Sequence, residues 1–171
     1  VLYAKKGIEL TTIMEGGGQE RGKRPGTENV PAIMGMAAAL EEECGSMKEQ
    51  AVKITAMRDR LIQGLFRIPN SILNGSVRNR LPGNVSFCFE GVSGESLLLL
   101  LDGKGICASS GSACASGALD PSHVLLALGR TPEAAQGSLR ISLDSTNTEE
   151  EIDYMLEVIP QVVEQLTSVP V

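Results

Sequence analysis

The sequence predicts an α+β fold that contains one long helix and few long strands. Apolar residues recur every three or four positions over residues 28–66, which is the spacing of an amphipathic helix. Runs typical of strands are short and, apart from one at the amino terminus, follow this helix. The chain has 171 residues, 42% of them apolar, and is therefore long enough to bury a hydrophobic core without disulfide bonds.

The first 27 residues predict a short strand and then a long loop. Val1-Leu2-Tyr3 favours a strand, whereas the next segment carries too many glycines and prolines for regular structure. These breakers are Gly16, Gly17, Gly18, Gly22, Pro25 and Gly26. The long helix begins near Val30-Pro31, because proline is tolerated in a first helical turn, and Gly45-Ser46 is a point where it could bend or divide.

Shorter strands and helices are predicted for the rest of the chain. The strand candidates are residues 72–73, 85–89, 105–107 and 138–143. The helix candidates are residues 94–101, 120–129 and 148–166. In the second of these helices, Asp120 would cap the amino terminus and Gly129 would end the helix.

The charge and the composition exclude several classes of partner. The chain has 15 basic and 21 acidic side chains, a net charge of −6, which argues against binding to a nucleic-acid backbone. Aromatic residues make up only 3%, too few for base-stacking platforms. No apolar run approaches the ~18–20 residues of a membrane span, and the first residues lack the order of a secretory signal. We therefore expect a cytoplasmic protein that binds neither nucleic acid nor a membrane.

The glycine-rich loop is a candidate anion-binding site. Gly17, Gly22 and Lys23 match part of a P-loop, but Arg24 stands where a P-loop needs serine or threonine to hold magnesium. Glycines leave backbone N–H groups free to face an anion, and Thr27 offers a hydroxyl just before a helix. The loop therefore favours phosphate binding without magnesium, with a solvated basic turn as the alternative.

Cys114 is the candidate nucleophile. The other residues of the segment 108–118 are all Ala, Gly or Ser, which cannot bury a thiol. A cysteine on such a bare and mobile loop can travel to a substrate and then to an acceptor, as a sulfur carrier does, whereas the alternative is an exposed cysteine without a role. Cys44, Cys88 and Cys107 lie among apolar residues, which predicts small core side chains.

The only histidine, His123, is predicted to lie at the surface near the start of a short helix. It could join Cys107 and Cys114 as a metal ligand, but a structural zinc site usually has four closely spaced ligands. The sequence therefore predicts no metal site.

Arg140 is the candidate carboxylate-binding residue. It lies in a predicted strand whose Leu139 and Ile141 share one face, so that Arg140 points to the other. A planar guanidinium can bind a carboxylate through two parallel hydrogen bonds. A surface arginine on a half-exposed strand is the alternative.

Three segments of the chain match one family in order and in spacing. They are residues 16–30, which begin Gly-Gly-Gly-Gln-Glu-Arg; residues 109–125, with Ser-Ser-Gly-Ser-Ala-Cys and Pro-Ser-His-Val-Leu; and residues 139–153, which begin Leu-Arg-Ile-Ser-Leu. Together they resemble the carboxy-terminal part of the NifS/IscS-like cysteine desulfurases, class V aminotransferase enzymes that use pyridoxal phosphate (PLP). The resemblance implies the small domain of a fold-type I PLP enzyme, with a short, mostly antiparallel sheet packed against helices.

The resemblance implies a role for three residues. Cys114 is similar to the cysteine that takes sulfur from L-cysteine, which yields L-alanine and an enzyme persulfide. Thr27 resembles the residue that reaches the PLP phosphate of the other subunit in a homodimer, and Arg140 resembles the anchor of the substrate carboxylate. The sulfur would then pass to an iron–sulfur scaffold or another acceptor protein, for iron–sulfur cluster or nitrogenase cofactor assembly.

The resemblance also implies a domain plan. Residues 1–27 would be the end of the large PLP domain with the anion-binding loop, residues 28–66 a bridging helix, and residues 67–171 the small domain with the catalytic cysteine. The family's PLP-binding lysine belongs to the large domain, and no lysine here has its context, so we expect the chain by itself to be inactive. The alternatives are a stand-alone thiol-carrier or binding domain and a related PLP-dependent lyase or aminotransferase.

Overall fold

The computed structural model describes residues 1–110 and 121–168. The chain forms two compact units, Val1–Ser46 and Met47–Val171. The elements along the chain are the helices α1 (Gln19–Gly22), α2 (Val30–Leu65), α3 (Gly94–Asp102), α4 (His123–Ala127), α5 (Pro132–Gln136) and α6 (Glu149–Thr167), and the strands β1 (Ser71–Leu73), β2 (Asn84–Phe89) and β3 (Ser138–Ser142). None of the helices within the described ranges is long and apolar enough to cross a membrane.

The first unit consists of a long loop and the beginning of α2. The predicted strand at Val1-Leu2-Tyr3 is wrong: these residues are irregular, since a strand needs a neighbour to pair with. The predicted loop is interrupted only by α1, in which Glu20 and Arg21 have left-handed backbone angles, so that this element is a tight turn. The side chain of Asn29 accepts a hydrogen bond from the Ala32 N–H at 3.1 Å and caps α2.

Helix α2 confirms the longest predicted element. It is assigned as one helix through Gly45-Ser46, so the possible division there does not occur. Its residues from Met47 onward belong to the second unit. There its last turns contribute buried side chains to the hydrophobic core, namely Met57, Leu61, Ile62 and Leu65.

The second unit contains an antiparallel sheet with the strand order β1-β2-β3. The predicted α+β class, with a short antiparallel sheet and packed helices, is therefore confirmed. The predicted strand at 105–107 is not formed, although Ile106 is buried. Instead, Ser109 makes an isolated antiparallel bridge to Arg140.

Alternation along β2 and β3 gives the sheet an apolar face and a polar face. Val85, Phe87 and Phe89 of β2 belong to the main core. The rings of Phe87 and Phe66 meet edge to face with their centroids 5.3 Å apart. Helices α3 and α6 pack together on the apolar face of the sheet. Helix α6 begins after Thr148, as predicted, and Thr148 forms a capping box with Glu151.

The short helices α4 and α5 cover part of the other face of the sheet. Leu125 of α4 and Ala135 of α5 are buried against Cys88 of β2. The residue at the N-cap position of α4 is Ser122, two positions later than predicted, and its side chain makes no capping hydrogen bond; Asp120 lies outside the described residues. Helix α5 was not predicted, although Thr131 caps it by accepting from the Ala134 N–H.

Candidate functional site

Arg140 lies on the polar face of the sheet, as predicted. Its neighbours Leu139 and Ile141 are 1% and 3% exposed, whereas Arg140 is exposed. Ser138 is the exception to the alternation, since it is buried as well. Arg140 lines a cleft of about 390 Å³ together with residues of β2, of α4 and of the connection between β1 and β2. The apolar part of its lining includes the exposed side chains of Leu81, Val124 and Leu128.

The guanidinium of Arg140 is available for a ligand. Among residues 1–110 and 121–168, no side chain makes a hydrogen bond or an ion pair with it. Its backbone is fixed: the Arg140 N–H donates to the Ser109 carbonyl at 2.6 Å and the Ser109 N–H donates to the Arg140 carbonyl at 3.0 Å. A fixed backbone and a free guanidinium together favour the binding of an anion in the cleft.

Residues 74–84 form one wall of this cleft, and two further arginines make hydrogen bonds to this segment. Arg80 donates to the carbonyl and the side-chain oxygen of Asn84, both at 3.0 Å, and also to the Asn74 carbonyl. Arg58, which is 5% exposed, donates to the Leu81 carbonyl at 3.0 Å. Burial, and after it the charge of Arg58, lower the pKa of Arg80. The wall is thus held by hydrogen bonds and is basic.

A buried amide lines the cleft. The side chain of Asn74, a residue 5% exposed, accepts from Arg130 Nε at 2.9 Å and donates to Ser86 Oγ at 3.2 Å. Its Nδ2 also lies 3.3 Å from Cys88 Sγ. Burial raises the pKa of the Cys88 thiol, and the hydrogen bond from Asn74 and the charge of Arg130 oppose that rise. Cys88 is therefore a neutral partner in this network.

Thr27 belongs to the first unit and is exposed. The backbone cradle predicted for the loop is reduced, because three of its N–H groups are already used. Gly22 donates to Gly18 O at 3.1 Å, Lys23 to Glu20 O at 3.1 Å, and Gly26 to Gln19 Oε1 at 3.2 Å. A phosphate would therefore be held by the Thr27 hydroxyl and by exposed basic side chains of the loop. This donor set fits the phosphate end of PLP.

The cysteine predictions have different outcomes. Cys114 lies outside the described residues. Cys88 is buried, as predicted, but Cys44 and Cys107 are exposed, so their assignment to the core was wrong. Cys107 follows the buried Ile106 but is itself exposed, and Cys44 lies in the exposed part of α2.

His123 is exposed at the start of α4. In the described part of the chain, no three His, Cys, Asp or Glu side chains are grouped so that they could hold a metal ion. Nothing in that part of the structure joins His123 to a metal site.

Three residues at the cleft were not predicted from the sequence, namely Asn74, Arg80 and Arg130. The dipeptide Asn74-Gly75 signals only a turn, and the two arginines resemble ordinary surface residues in the sequence. Their importance becomes visible only because the fold brings Arg130 to a residue 56 positions away.

The fold agrees with the comparisons with known proteins. The family model described as aminotransferase class-V matches residues 7–155. The chain therefore belongs to the aminotransferase class-V family.

Its relatives within that family are cysteine desulfurases. The chain is 52% identical over 167 residues to "Cysteine desulfurase IscS" of Clostridium botulinum, with 96% of this chain and 42% of the relative covered. It is 50% identical to "Cysteine desulfurase IscS" of Methanosarcina thermophila, with 96% of this chain and 41% of the relative covered. The chain thus spans less than half the length of the curated relatives that it matches.

Among solved structures, the chain is similar to NifS-like proteins. A structure titled "NIFS-LIKE PROTEIN" superposes with a TM-score of 0.82 at 37% identity and covers 95% of this chain and 41% of its own. The NifS-like protein from Rickettsia africae reaches a TM-score of 0.80 at 32% identity, with the same coverage. The predicted resemblance to NifS/IscS-like cysteine desulfurases is confirmed.

Proposed function

We propose that the chain is the small-domain part of a cysteine desulfurase that moves sulfur from L-cysteine to an acceptor protein for iron–sulfur cluster assembly. The observation that carries the proposal is the guanidinium of Arg140. It has no side-chain partner among the described residues, and it lines a cleft whose wall is basic. The names of the relatives support the same reaction.

In this proposal Arg140 binds the carboxylate of L-cysteine through two parallel hydrogen bonds. The bound substrate then keeps its amino group and its sulfur in fixed directions. PLP, when bound to the whole enzyme, would supply an electron sink for the reaction. Thr27 would contact the phosphate of PLP in the other subunit of a homodimer.

Cys114 is the proposed sulfur acceptor. Its thiolate attacks the sulfur of L-cysteine, so that an S–S bond forms as the C–S bond of the substrate breaks; the bonding electron pair stays with the substrate carbon, which takes up a proton and becomes the methyl group of L-alanine. The products are L-alanine and a persulfide on Cys114, whose outer sulfur passes to the acceptor protein. The hydrogen bonds between Ser109 and Arg140 support this role, because Cys114 follows Ser109 by only five positions, a reach of at most about 18 Å.

A second observation supports a longer parent protein. Apolar side chains in the first part of α2 are exposed, among them Val30, Ile33, Met34 and Leu40. Such a contiguous apolar surface is typically covered by another polypeptide. We propose that a PLP domain covers it, and that the chain alone does not desulfurate cysteine.

The test of the function is an assay of the full-length parent protein with PLP and L-cysteine. We expect Cys114→Ala to abolish sulfide release in the presence of a reductant, while the control Cys44→Ala, which removes an exposed cysteine, keeps it. Unchanged sulfide release by Cys114→Ala would remove this residue from the mechanism. A parent that binds PLP but makes no L-alanine from L-cysteine would point to a related lyase or aminotransferase.

A further inference from the structure

Ser86 is the residue on the neighbouring strand that faces Arg140. The two residues are directly opposite in the register of β2 and β3. Both backbone groups of Arg140 are bonded to Ser109, and the Ser86 carbonyl accepts from the Asn74 N–H at 2.8 Å. Ser86 and Arg140 therefore form a non-hydrogen-bonded pair, in which the Cα atoms of antiparallel strands are only about 4.5 Å apart. Since both residues line the same cleft, a ligand on Arg140 also lies next to the Ser86 hydroxyl.

The hydrogen-bond network sets the direction of the Ser86 hydroxyl. Arg130 Nε can only donate, so the atom of the Asn74 amide that it contacts must be the oxygen. The amide nitrogen of Asn74 consequently faces Ser86 and donates to its Oγ. Because Ser86 accepts in this bond, its own proton remains for another acceptor. No acceptor for that proton is found within the described ranges.

We propose that Ser86 is a second donor to the carboxylate that Arg140 binds, and that Asn74 and Arg130 are positioning residues that keep its proton turned toward the cleft. The inference rests on the proposed function, because it assigns the same ligand group, an amino-acid carboxylate, to the cleft. A charged donor next to a neutral donor favours an amino acid, which has a carboxylate, over an amine that lacks one.

The test is a calorimetric titration of the full-length parent protein with L-alanine and with ethylamine, which lacks only the carboxylate. We expect Ser86→Ala to weaken L-alanine binding by about tenfold, as for a lost hydrogen bond to a charged group, and to leave ethylamine binding unchanged. Ser86→Thr keeps a hydroxyl and should restore the affinity. Ser142→Ala, a serine of β3 that does not line the cleft, is the matched control and should bind like the wild type.

The positioning role has its own variant. Asn74→Asp still accepts from Arg130, but it cannot donate to Ser86, so the Ser86 hydroxyl turns inward to donate to the new carboxylate. We expect L-alanine binding to weaken at least as much as in Ser86→Ala. The KM for L-cysteine should rise in both variants, with kcat changed less.

The results for Arg140→Ala and Ser86→Ala distinguish a failure of this inference from a failure of the proposed function. If Arg140→Ala weakens L-alanine binding and Ser86→Ala does not, the role of Ser86 is wrong and the proposed function stands. If neither variant affects L-alanine binding, the cleft is not a carboxylate site and both fail. Equal weakening of L-alanine and ethylamine by Ser86→Ala would also overturn the inference, because the loss would then be structural.

Discussion

Gly137 joins α5 to β3 and lies where two backbones meet. Its φ is −86°, an angle that any residue adopts, so that only space restricts this position. A Cβ added here would overlap the carbonyl oxygen of Phe89 and come within 2.9 Å of that of Val92, whereas real Cβ contacts under 3.0 Å essentially never occur. Gly137→Ala must therefore push the start of β3 away from the end of β2.

The expected cost follows from what this shift disturbs. The Phe89 N–H donates to the Gly137 carbonyl at 2.9 Å, and loss of that bond costs about 1 kcal/mol. Displacement of a packed backbone adds about 2 kcal/mol, as overpacking in a core does. We expect Gly137→Ala to lower the free energy of unfolding by about 3 kcal/mol, and Tm by roughly 6–12 °C for a protein of this size.

The assay is urea unfolding of the chain followed by circular dichroism. The matched control is Gly103→Ala, because Gly103 has a φ of −60° and its nearest atoms would lie 3.6 Å from the new Cβ. There the same substitution should stabilise the protein by about 0.5 kcal/mol, since alanine restricts the unfolded chain. A Gly137→Ala protein as stable as the wild type would refute the close approach of the two backbones.

Two further predictions concern the network beneath the cleft. Arg130→Met should lower the free energy of unfolding by about 2 kcal/mol, because the buried oxygen of Asn74 loses its charged donor; a urea titration that matches the wild type would contradict this. At pH 8, iodoacetamide should modify Cys44 and Cys107 quickly and Cys88 only after unfolding, which mass spectrometry can follow. Burial raises the pKa of the Cys88 thiol in the folded state. The contribution of Cys88 to the free energy of unfolding is therefore complete below the thiol's pKa in the unfolded state and is lost as pH rises through its pKa in the folded state. Cys88→Ala should make the free energy of unfolding less dependent on alkaline pH, and an unaltered pH profile would argue against this prediction.

Local sequence patterns were sufficient to predict several elements of the structure. The capping box that begins α6 needs only residues three positions apart, and the alternation that turns Arg140 outward needs only its two neighbours. The long helix α2 was likewise visible from its periodicity. Such features depend on short-range geometry, which a single sequence contains.

Other predictions failed because they required partners that a local pattern does not reveal. Residues 1–3 and 105–107 have strand-like composition, but no strand in the described part of the chain pairs with them, and a strand is stable only in a sheet. Cys44 lies on the apolar side of α2, yet it is exposed. Periodicity identifies the apolar side of a helix, but not what covers that side.

The sequence alone determined the α+β class, the family, and the outward direction of Arg140. Only the tertiary structure decided what surrounds that arginine. Ser86 lies 12 positions from Asn74, and Arg130 lies 56 positions from it, so that no local pattern connects these three residues. Their hydrogen bonds exist because antiparallel pairing and the packing of α4 and α5 bring distant segments together, and this contact gives the cleft its second donor.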